Sequence, residues 1–270
     1  MRVCALALFV PLCWCLGQVK QSLIMTWEEY AKQPPRTPCV LRFHAGAGEL
    51  LYYGARHTSS PDDPQIADIE RLWNDFRPTL AFSEGGIRPA SASVEEAVRR
   101  YGEPGLIRVL ADHHRVQIRS IESPQDEEIS AMLREWPPDR VKLYYFLRAM
   151  MGYQHGVHDQ SARDYAMVQL KILNQTRGID GPPRTIEDVE AAIAKFSPPL
   201  ADWRVVPESW FNPTRSEAFT NEFSRKLGLF RDEHMLKNLV TAVRSGERVF
   251  AVVGSGHVIM QERALKAALR

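Results

Sequence analysis

The sequence predicts an α/β protein with a mixed, largely parallel sheet that is flanked by helices and interrupted by a helical insertion. Three observations support this fold class. Up to about residue 123, short strand-like apolar runs alternate with amphipathic helical patterns. Residues 124–213 are mostly helical in pattern and end in a loop-rich stretch. Strand character then returns at residues 247–253, directly before a last helix.

The first half of the chain begins with a predicted β-hairpin. Residues 39–43 and 49–53 have strand character, and Ala45-Gly46-Ala47-Gly48 between them is typical of a turn. The spacing of apolar residues then predicts, in chain order, a helix over 64–76, a strand over 79–82, helices over 93–101 and 106–114, and a strand over 116–121. Ser93 is the expected N-cap of its helix, because Glu96 follows three residues later.

The rest of the chain is predominantly helical in pattern. We interpret residues 124–213 as a helical insertion that forms a cap or one wall of a site. Helices are predicted over residues 126–135, 140–152, 159–173, 186–196, 214–227 and 232–244, and from about residue 258. Tyr144-Tyr145-Phe146 is expected in a helical core, and Trp203, Trp210 and Phe211 are expected to pack loops, with the lining of a substrate cleft as the alternative.

Residues 1–17 have the features of a signal peptide. Arg2 supplies a positive start, an apolar run follows from Ala5, and the small residues Cys15 and Gly17 suit a signal peptidase. We therefore predict an exported protein, periplasmic or secreted, whose residues 18–270 form a single domain. The apolar run is short for a transmembrane helix, so no membrane span is expected once it is removed.

Composition narrows the class of partner. The sequence has 34 basic and 33 acidic residues, so no excess charge favours a nucleic acid or an anionic membrane. Of the 4 cysteines, Cys39 alone follows the predicted signal peptide. A single thiol forms no internal disulfide, and its strand-like surroundings predict a small buried side chain rather than a nucleophile.

A four-residue pattern, Gly-x-x-His, is the most informative feature for function. It occurs as Gly54-Ala55-Arg56-His57 and as Gly254-Ser255-Gly256-His257, each time directly after a strand-like run. Ser83-Glu84-Gly85-Gly86 follows the strand predicted over residues 79–82. Open α/β sheets bind ligands beyond the carboxyl ends of their strands. We therefore predict that His57, Glu84 and His257 meet in one site.

Two chemistries suit these residues. In the first, His57, Glu84 and His257 bind a divalent metal ion (Mn, Co, Zn or Fe) whose open position activates water. In the second no metal is needed: one histidine is the base, Glu84 orients or protonates, and Arg231 stabilises the developing oxyanion. Glu122, at its own strand end, fits either arrangement. Both histidines precede predicted helices, whose dipoles are expected to lower the imidazole pKa.

The order of these motifs resembles the TraB/GumN/Tiki family. The matching segments are Gly-Ala-Arg-His at 54–57, Ser-Glu-Gly-Gly at 83–86, Ile121-Glu122, Arg231-Asp232 and Gly-Ser-Gly-His at 254–257. The resemblance covers roughly residues 50–122 and 227–269 and does not reach the helical middle. It implies that His57, Glu84 and His257 are site residues, with Arg231 and Glu122 beside them.

The resemblance also implies a range of functions. The family shares a superfamily fold with erythromycin esterases and ChaN-like haem-binding proteins. Tiki-like members resemble metal-dependent proteases, whereas the esterases open lactones without an obligatory metal. The implied function is an exported hydrolase that cleaves an amide or ester bond in a peptide or small molecule. The alternative is a haem- or iron-binding protein of ChaN type, and a third hypothesis is an exported partner-binding factor whose motif maintains the fold.

Other motifs are given weaker interpretations. Asp112-His113-His114 resembles part of a phosphoesterase signature, but it is expected at a helix end without further acidic motifs. His155 and His158 suit a metal, although the glycines around them indicate a loop between helices. Ser83 lacks a Gly-x-Ser-x-Gly elbow, so a serine hydrolase is not expected.

Overall fold

The computed structural model describes residues 23–33, 36–154, 159–197 and 199–270. The predicted signal peptide and the His155/His158 pair lie outside these residues. Within the described chain, five strands form one sheet in the order β1-β2-β5-β3-β4. They are β1 (Cys39–Ala45), β2 (Gly48–Ala55), β3 (Leu80–Ser83), β4 (Gln117–Ser120) and β5 (Arg248–Gly254).

The sheet is mixed and mostly parallel, as the sequence predicts. β1 and β2 form the antiparallel hairpin, while the β2–β5, β5–β3 and β3–β4 pairs are parallel. The insertion of β5 between β2 and β3 places three carboxyl strand ends side by side. Ala55 is paired with Gly254, and Ser83 with Val252. Residues that follow these strands in distant parts of the sequence therefore start from one edge of the sheet.

Helices cover both faces of the sheet and form the middle of the chain. In the described residues they are α1 (Trp27–Tyr30), α2 (Pro64–Phe76), α3 (Val94–Tyr101), α4 (Glu103–His114), α5 (Gln125–Met132), α6 (Pro138–Gln154), α7 (Ala162–Gln175), α8 (Ile186–Phe196), α9 (Phe219–Arg244) and α10 (Ser255–Ala268). A short 3₁₀ helix spans Glu208–Phe211. None of the helices in the described residues is both long enough and apolar enough to cross a membrane.

Most predicted elements are confirmed to within a few residues. The helix over 64–76 has the predicted bounds, and Ser93 caps α3 by accepting a hydrogen bond from the Glu96 N–H at 3.1 Å. Cys39 is buried in β1, as expected. The last helix begins at Ser255 rather than near residue 258, so His257 lies in its first turn.

One prediction is wrong: residues 214–227 and 232–244 are not two helices. The chain begins a single helix at Phe219, where the Asn221 carboxamide oxygen accepts from the backbone N–H groups of Glu217 and Ala218 at 2.8 Å each. Gly228, between the two predicted helices, lies inside the single helix and packs closely against another part of the chain. A Cβ at Gly228 would stand 2.9 Å from the Trp27 ring.

The core has three parts. β2 and β5 are buried on both faces, which is why they read as continuous apolar runs. One face of the sheet packs against α9 and α10, and the other packs against α2 and α4. The helical middle has its own core, which includes Tyr144, Phe146, Trp203 and Trp210 and confirms their predicted packing roles. Phe223 of α9 belongs to this core as well.

Candidate functional site

The two Gly-x-x-His turns lie against each other at the carboxyl edge of the sheet. A Cβ on Gly54 would stand 2.8 Å from the Ser255 Cα, in the second turn. A Cβ on Gly254 would stand 3.0 Å from His57 Nε2, at the end of the first turn. Each glycine therefore leaves space for the other motif, which no larger residue does without a shift.

Glu84 lies between the two histidines. Its Oε2 accepts a 2.6 Å hydrogen bond from the Gly254 N–H and lies 4.0 Å from His57 Nε2. Its Oε1 lies 3.5 Å from His257 Nε2 and 3.6 Å from Arg231 Nη2. The three residues predicted to meet are therefore neighbours, and Arg231 is beside them.

Glu84 is ionised at neutral pH. Its side chain is 15% exposed, and burial raises its carboxyl pKa. The hydrogen bond and charge of His257, the Gly254 N–H and the charge of His57 outweigh burial and lower that pKa to about 2. A carboxylate with this pKa accepts hydrogen bonds and does not donate a proton at neutral pH.

His257 is paired on both ring nitrogens. Its Nδ1 lies 2.7 Å from Oδ1 of Asp232, which is fully buried on α9 and also accepts from the Gln261 side-chain amide at 2.7 Å. Burial lowers the imidazole pKa, but Asp232 and then Glu84 outweigh it and raise the pKa of His257 to about 10. The expected lowering of this pKa is wrong, because two carboxylates act more strongly than the N-terminus of α10.

His57 is the accessible histidine, with 65% of its side chain exposed. Its Nδ1 lies 3.5 Å from Glu103 Oε2, and its Nε2 faces Glu84. Glu103 is buried at the start of α4, and its Oε1 accepts from the Thr58 N–H at 2.8 Å and the Gln65 amide at 3.0 Å. The hydrogen bond to Glu103 raises the pKa of His57, so the expected lowering is wrong here too.

Arg231 and Glu122 form a tight pair next to Glu84. Arg231 Nε donates to Glu122 Oε2 at 3.0 Å, and Nη2 donates to Oε1 at 2.7 Å. Glu122 Oε1 also accepts from the Gly85 N–H at 3.0 Å. Arg231 lies in the middle of α9, not before a helix as predicted. The pair ties α9 to the loop that carries Glu84.

Three clefts open onto this network. One of about 540 Å³ is lined by both Gly-x-x-His turns, including His57 and His257. One of about 500 Å³ is lined by His57, Glu84 and Glu103. The third, of about 530 Å³, runs from Arg231 and His257 to residues of the helical middle, among them Tyr144, Arg148, Met151 and Phe211. The helical middle therefore forms one wall of the site.

The donor set has only some of the features that a metal ion needs. Two imidazoles and a carboxylate are suitable ligand types, and both imidazoles have carboxylate partners on their other nitrogen, as metal-binding histidines usually do. The Glu84 oxygens, however, already face Gly254 N–H, His257 and Arg231. Among the described residues, no group of three or more His, Cys, Asp or Glu is arranged to hold a metal ion. The placed side chains do not fit the predicted metal centre.

Asp232 and Glu103 are the principal site residues that the sequence did not identify. Asp232 was part of the Arg231-Asp232 motif, but nothing local marks it as the partner of a histidine 25 residues later. Glu103 follows Gly102 at a helix start, where an acidic residue is common for reasons of the helix dipole alone. Only the distant pairing in the fold reveals either role.

Asp112-His113-His114 lies at the carboxyl end of α4, as expected, and does not line the three clefts. Phe211 has both of the uses considered for it, because it packs against the core of the helical middle and lines the cleft of about 530 Å³. Comparison of the chain with models of protein families, with known proteins and with solved structures gives no match.

Proposed function

We propose that this protein is a hydrolase that cleaves an amide or ester bond with water activated by His57. The observation that supports it best is the His57–Glu103 pair: an exposed imidazole that lines the cleft, with its Nδ1 facing a buried, hydrogen-bonded carboxylate and its Nε2 4.0 Å from Glu84. A base oriented by a third group in this way is the usual arrangement for proton transfer in hydrolases. The same proposal includes export of the protein and its relationship to the TraB/GumN/Tiki family, which its motifs resemble.

In the first step, neutral His57 Nε2 takes a proton from water as the water oxygen bonds to the substrate carbonyl carbon. Glu103 keeps Nδ1–H directed towards itself and stabilises the imidazolium that forms. His57 then gives the proton to the leaving nitrogen or oxygen, and the carbon–nitrogen or carbon–oxygen bond breaks. The products are a carboxylic acid and an amine or alcohol.

The other residues of the network stabilise charge in this scheme. The tetrahedral intermediate carries a negative oxygen, which positive N–H donors stabilise when they are already in position. His257 is protonated at neutral pH and both of its N–H groups face carboxylates, so it contributes positive charge beside the cleft and is not a second base. Arg231 adds a second cation at the same wall. Glu84 positions both, because its Oε1 faces each of them.

The experiment compares His57→Gln with the wild type and with His113→Gln, an exposed histidine at the far end of α4. The probes are p-nitrophenyl esters and a fluorogenic peptide mixture. We expect His57→Gln to lower kcat/KM roughly 10²- to 10⁴-fold with little change in Tm, and His113→Gln to match the wild type. Equal hydrolysis by wild type and His57→Gln contradicts the proposal. A fall in Tm without any hydrolytic activity supports the third hypothesis, a fold-maintaining motif.

The divalent metal, expected from the ligand types, and the haem, implied by the resemblance, both stay predictions, and no step above uses either. Elemental analysis of the wild type and of a His57→Ala/His257→Ala variant tests the metal. If the wild type contains a stoichiometric metal that the variant lacks, the metal-free mechanism is wrong and a metal-dependent one replaces it. A Soret band on addition of haem would favour the binding protein of ChaN type.

A further inference from the structure

The cleft of about 500 Å³ beside His57 contains two arginines that the catalytic network does not use. Arg88 and Arg148 line it together with Arg231. Arg231 is bound by Glu122 through two N–H groups. Among the described residues, neither Arg88 nor Arg148 forms an ion pair with a carboxylate, and the hydrogen bond of Arg148 goes to the Tyr144 hydroxyl at 3.3 Å.

The carboxylates of the same cleft already have hydrogen-bond or ion-pair partners within the protein. Glu122 is held by Arg231 and the Gly85 N–H. Glu103 accepts from Thr58 and Gln65 and faces His57. Glu84 faces His257 and the Gly254 N–H. The cleft is lined by three arginines and three glutamates, and among the described residues Arg88 and Arg148 are the two of these arginines that no carboxylate pairs with.

The Arg88 side chain is packed into the wall of the cleft and is not a free surface side chain. Its Nε is buried and has no hydrogen-bond partner among the described residues. A Cβ on Gly85 would stand 2.6 Å from Arg88 Nη2, so the guanidinium packs against the turn that carries Glu84. A buried N–H without a partner costs free energy, which an acceptor on a bound ligand would offset.

Arg148 comes from a different part of the fold. It lies on α6, in the helical middle, and lines both this cleft and the neighbouring one of about 530 Å³. The neighbouring cleft adds apolar surface from Trp27, Tyr144 and Phe211. Two guanidinium groups from separate elements thus line one cleft beside the proposed base, with space for an apolar group next to them.

We propose that Arg88 and Arg148 form a subsite for a carboxylate of the substrate. The substrate class is then an acidic amide or ester whose free carboxylate binds these arginines while the bond to be cleaved lies at His57. Planar guanidinium groups bind carboxylates through paired, charge-assisted hydrogen bonds. This inference rests on the proposed hydrolase function for the position of the bond, but the anion subsite itself can be tested without turnover.

The kinetic test uses two esters that differ in one terminal group: mono-p-nitrophenyl glutarate, which carries a carboxylate, and p-nitrophenyl pentanoate, which does not. We expect the wild type to prefer the glutarate ester in kcat/KM. Arg88→Gln and Arg148→Gln should each lower that preference about tenfold, mainly through KM. Arg99→Gln, which removes an exposed arginine paired with Glu95, is the matched control and should keep it. An unchanged preference in both cleft variants overturns the subsite.

The binding test separates the two proposals. Calorimetric titration compares 4-phenylbutyrate with its neutral amide, 4-phenylbutanamide, on the wild type, His57→Gln, Arg88→Gln and Arg148→Gln. We expect tighter binding of the carboxylate to the wild type and His57→Gln, and loss of this preference in the arginine variants. That result without any ester hydrolysis keeps the subsite and refutes the hydrolase. Absence of carboxylate preference in the wild type refutes the subsite, whether or not the protein is a hydrolase.

Discussion

At the scale of single residues, the site depends on which carboxylate each histidine contacts. The side chain of His257 lies between Asp232 and Glu84 and is 14% exposed, whereas that of His57 contacts Glu103 and is 65% exposed. Identical sequence motifs therefore give two different imidazoles. The pKa of His257 is about 10, so this imidazole stays protonated at neutral pH. The exposed one is accessible to water, which suits a group that accepts and returns a proton.

Glu103→Gln is the sharpest single-residue test of this difference. The Glu103 hydrogen bond raises the pKa of His57, and His57 acts as a base only when neutral. Activity should therefore rise with pH through the His57 pKa, and the variant should move that rise to lower pH. Its maximal kcat should also fall, roughly 10- to 100-fold, because a neutral amide stabilises the imidazolium less than a carboxylate does.

The measurement is the pH dependence of kcat/KM between pH 5 and 9 for wild type and Glu103→Gln. The control is Glu95→Gln, an exposed acid on α3 that pairs with Arg99. If Glu103→Gln does not shift the pH dependence of kcat/KM, a group other than His57 titrates. Such a result would remove His57 from the role of base even if the activity fell.

At the scale of elements, the two Gly-x-x-His turns act as one unit, because β2 and β5 are adjacent and parallel. The sequence predicted this meeting well, since glycine and histidine followed two clear strands. It could not predict Glu103, whose helix lies 46 residues beyond His57. It also predicted two helices where α9 is continuous, and the packing of Trp27 against Gly228, between the two predicted helices, is visible only in the fold.

The two glycines of these turns should respond differently to alanine. In Gly254→Ala the new Cβ meets an exposed side chain, His57, at 3.0 Å, so we expect kcat/KM to fall about tenfold or more with little loss of stability. In Gly54→Ala it meets backbone, the Ser255 Cα at 2.8 Å, and overpacking should cost about 1–3 kcal/mol. Chemical denaturation and ester hydrolysis of both variants measure the contrast. Equal losses of stability would contradict it.

At the scale of the whole molecule, the buried network links stability to pH. The pKa of His257 rises in the folded state from 6.5 to about 10, so its contribution is complete below pH 6.5 and is lost as pH rises through 10. The pKa of Glu84 falls from 4.5 to about 2, so its contribution is complete above pH 4.5 and is lost as pH falls through 2. Both shifts in pKa arise largely from the contact between His257 and Glu84, so the two contributions to stability are not added together.

His257→Gln should therefore be most destabilising between about pH 4.5 and 6.5. There we expect its Tm to be lower than that of the wild type by roughly 5–10 °C, and the difference should shrink towards pH 10. Thermal melts of both proteins across pH 4.5–10 give the measurement. His113→Gln is the control, because it lies outside the network. A constant difference across this range would mean that His257 carries no proton-linked stability.

The long helix α9 has a consequence for cooperativity. Its first half places Phe223 against Tyr144 in the helical middle, with ring centroids 3.8 Å apart, and its second half places Met235, Leu239 and Val243 in the sheet core. A fragment of residues 124–213 would lack Phe223 and so could not complete its own core. Helix α9 therefore contributes to both cores, and Arg231 and Asp232 lie on it between the two core segments. The chain should accordingly melt in one transition, and the site should be lost when either half unfolds.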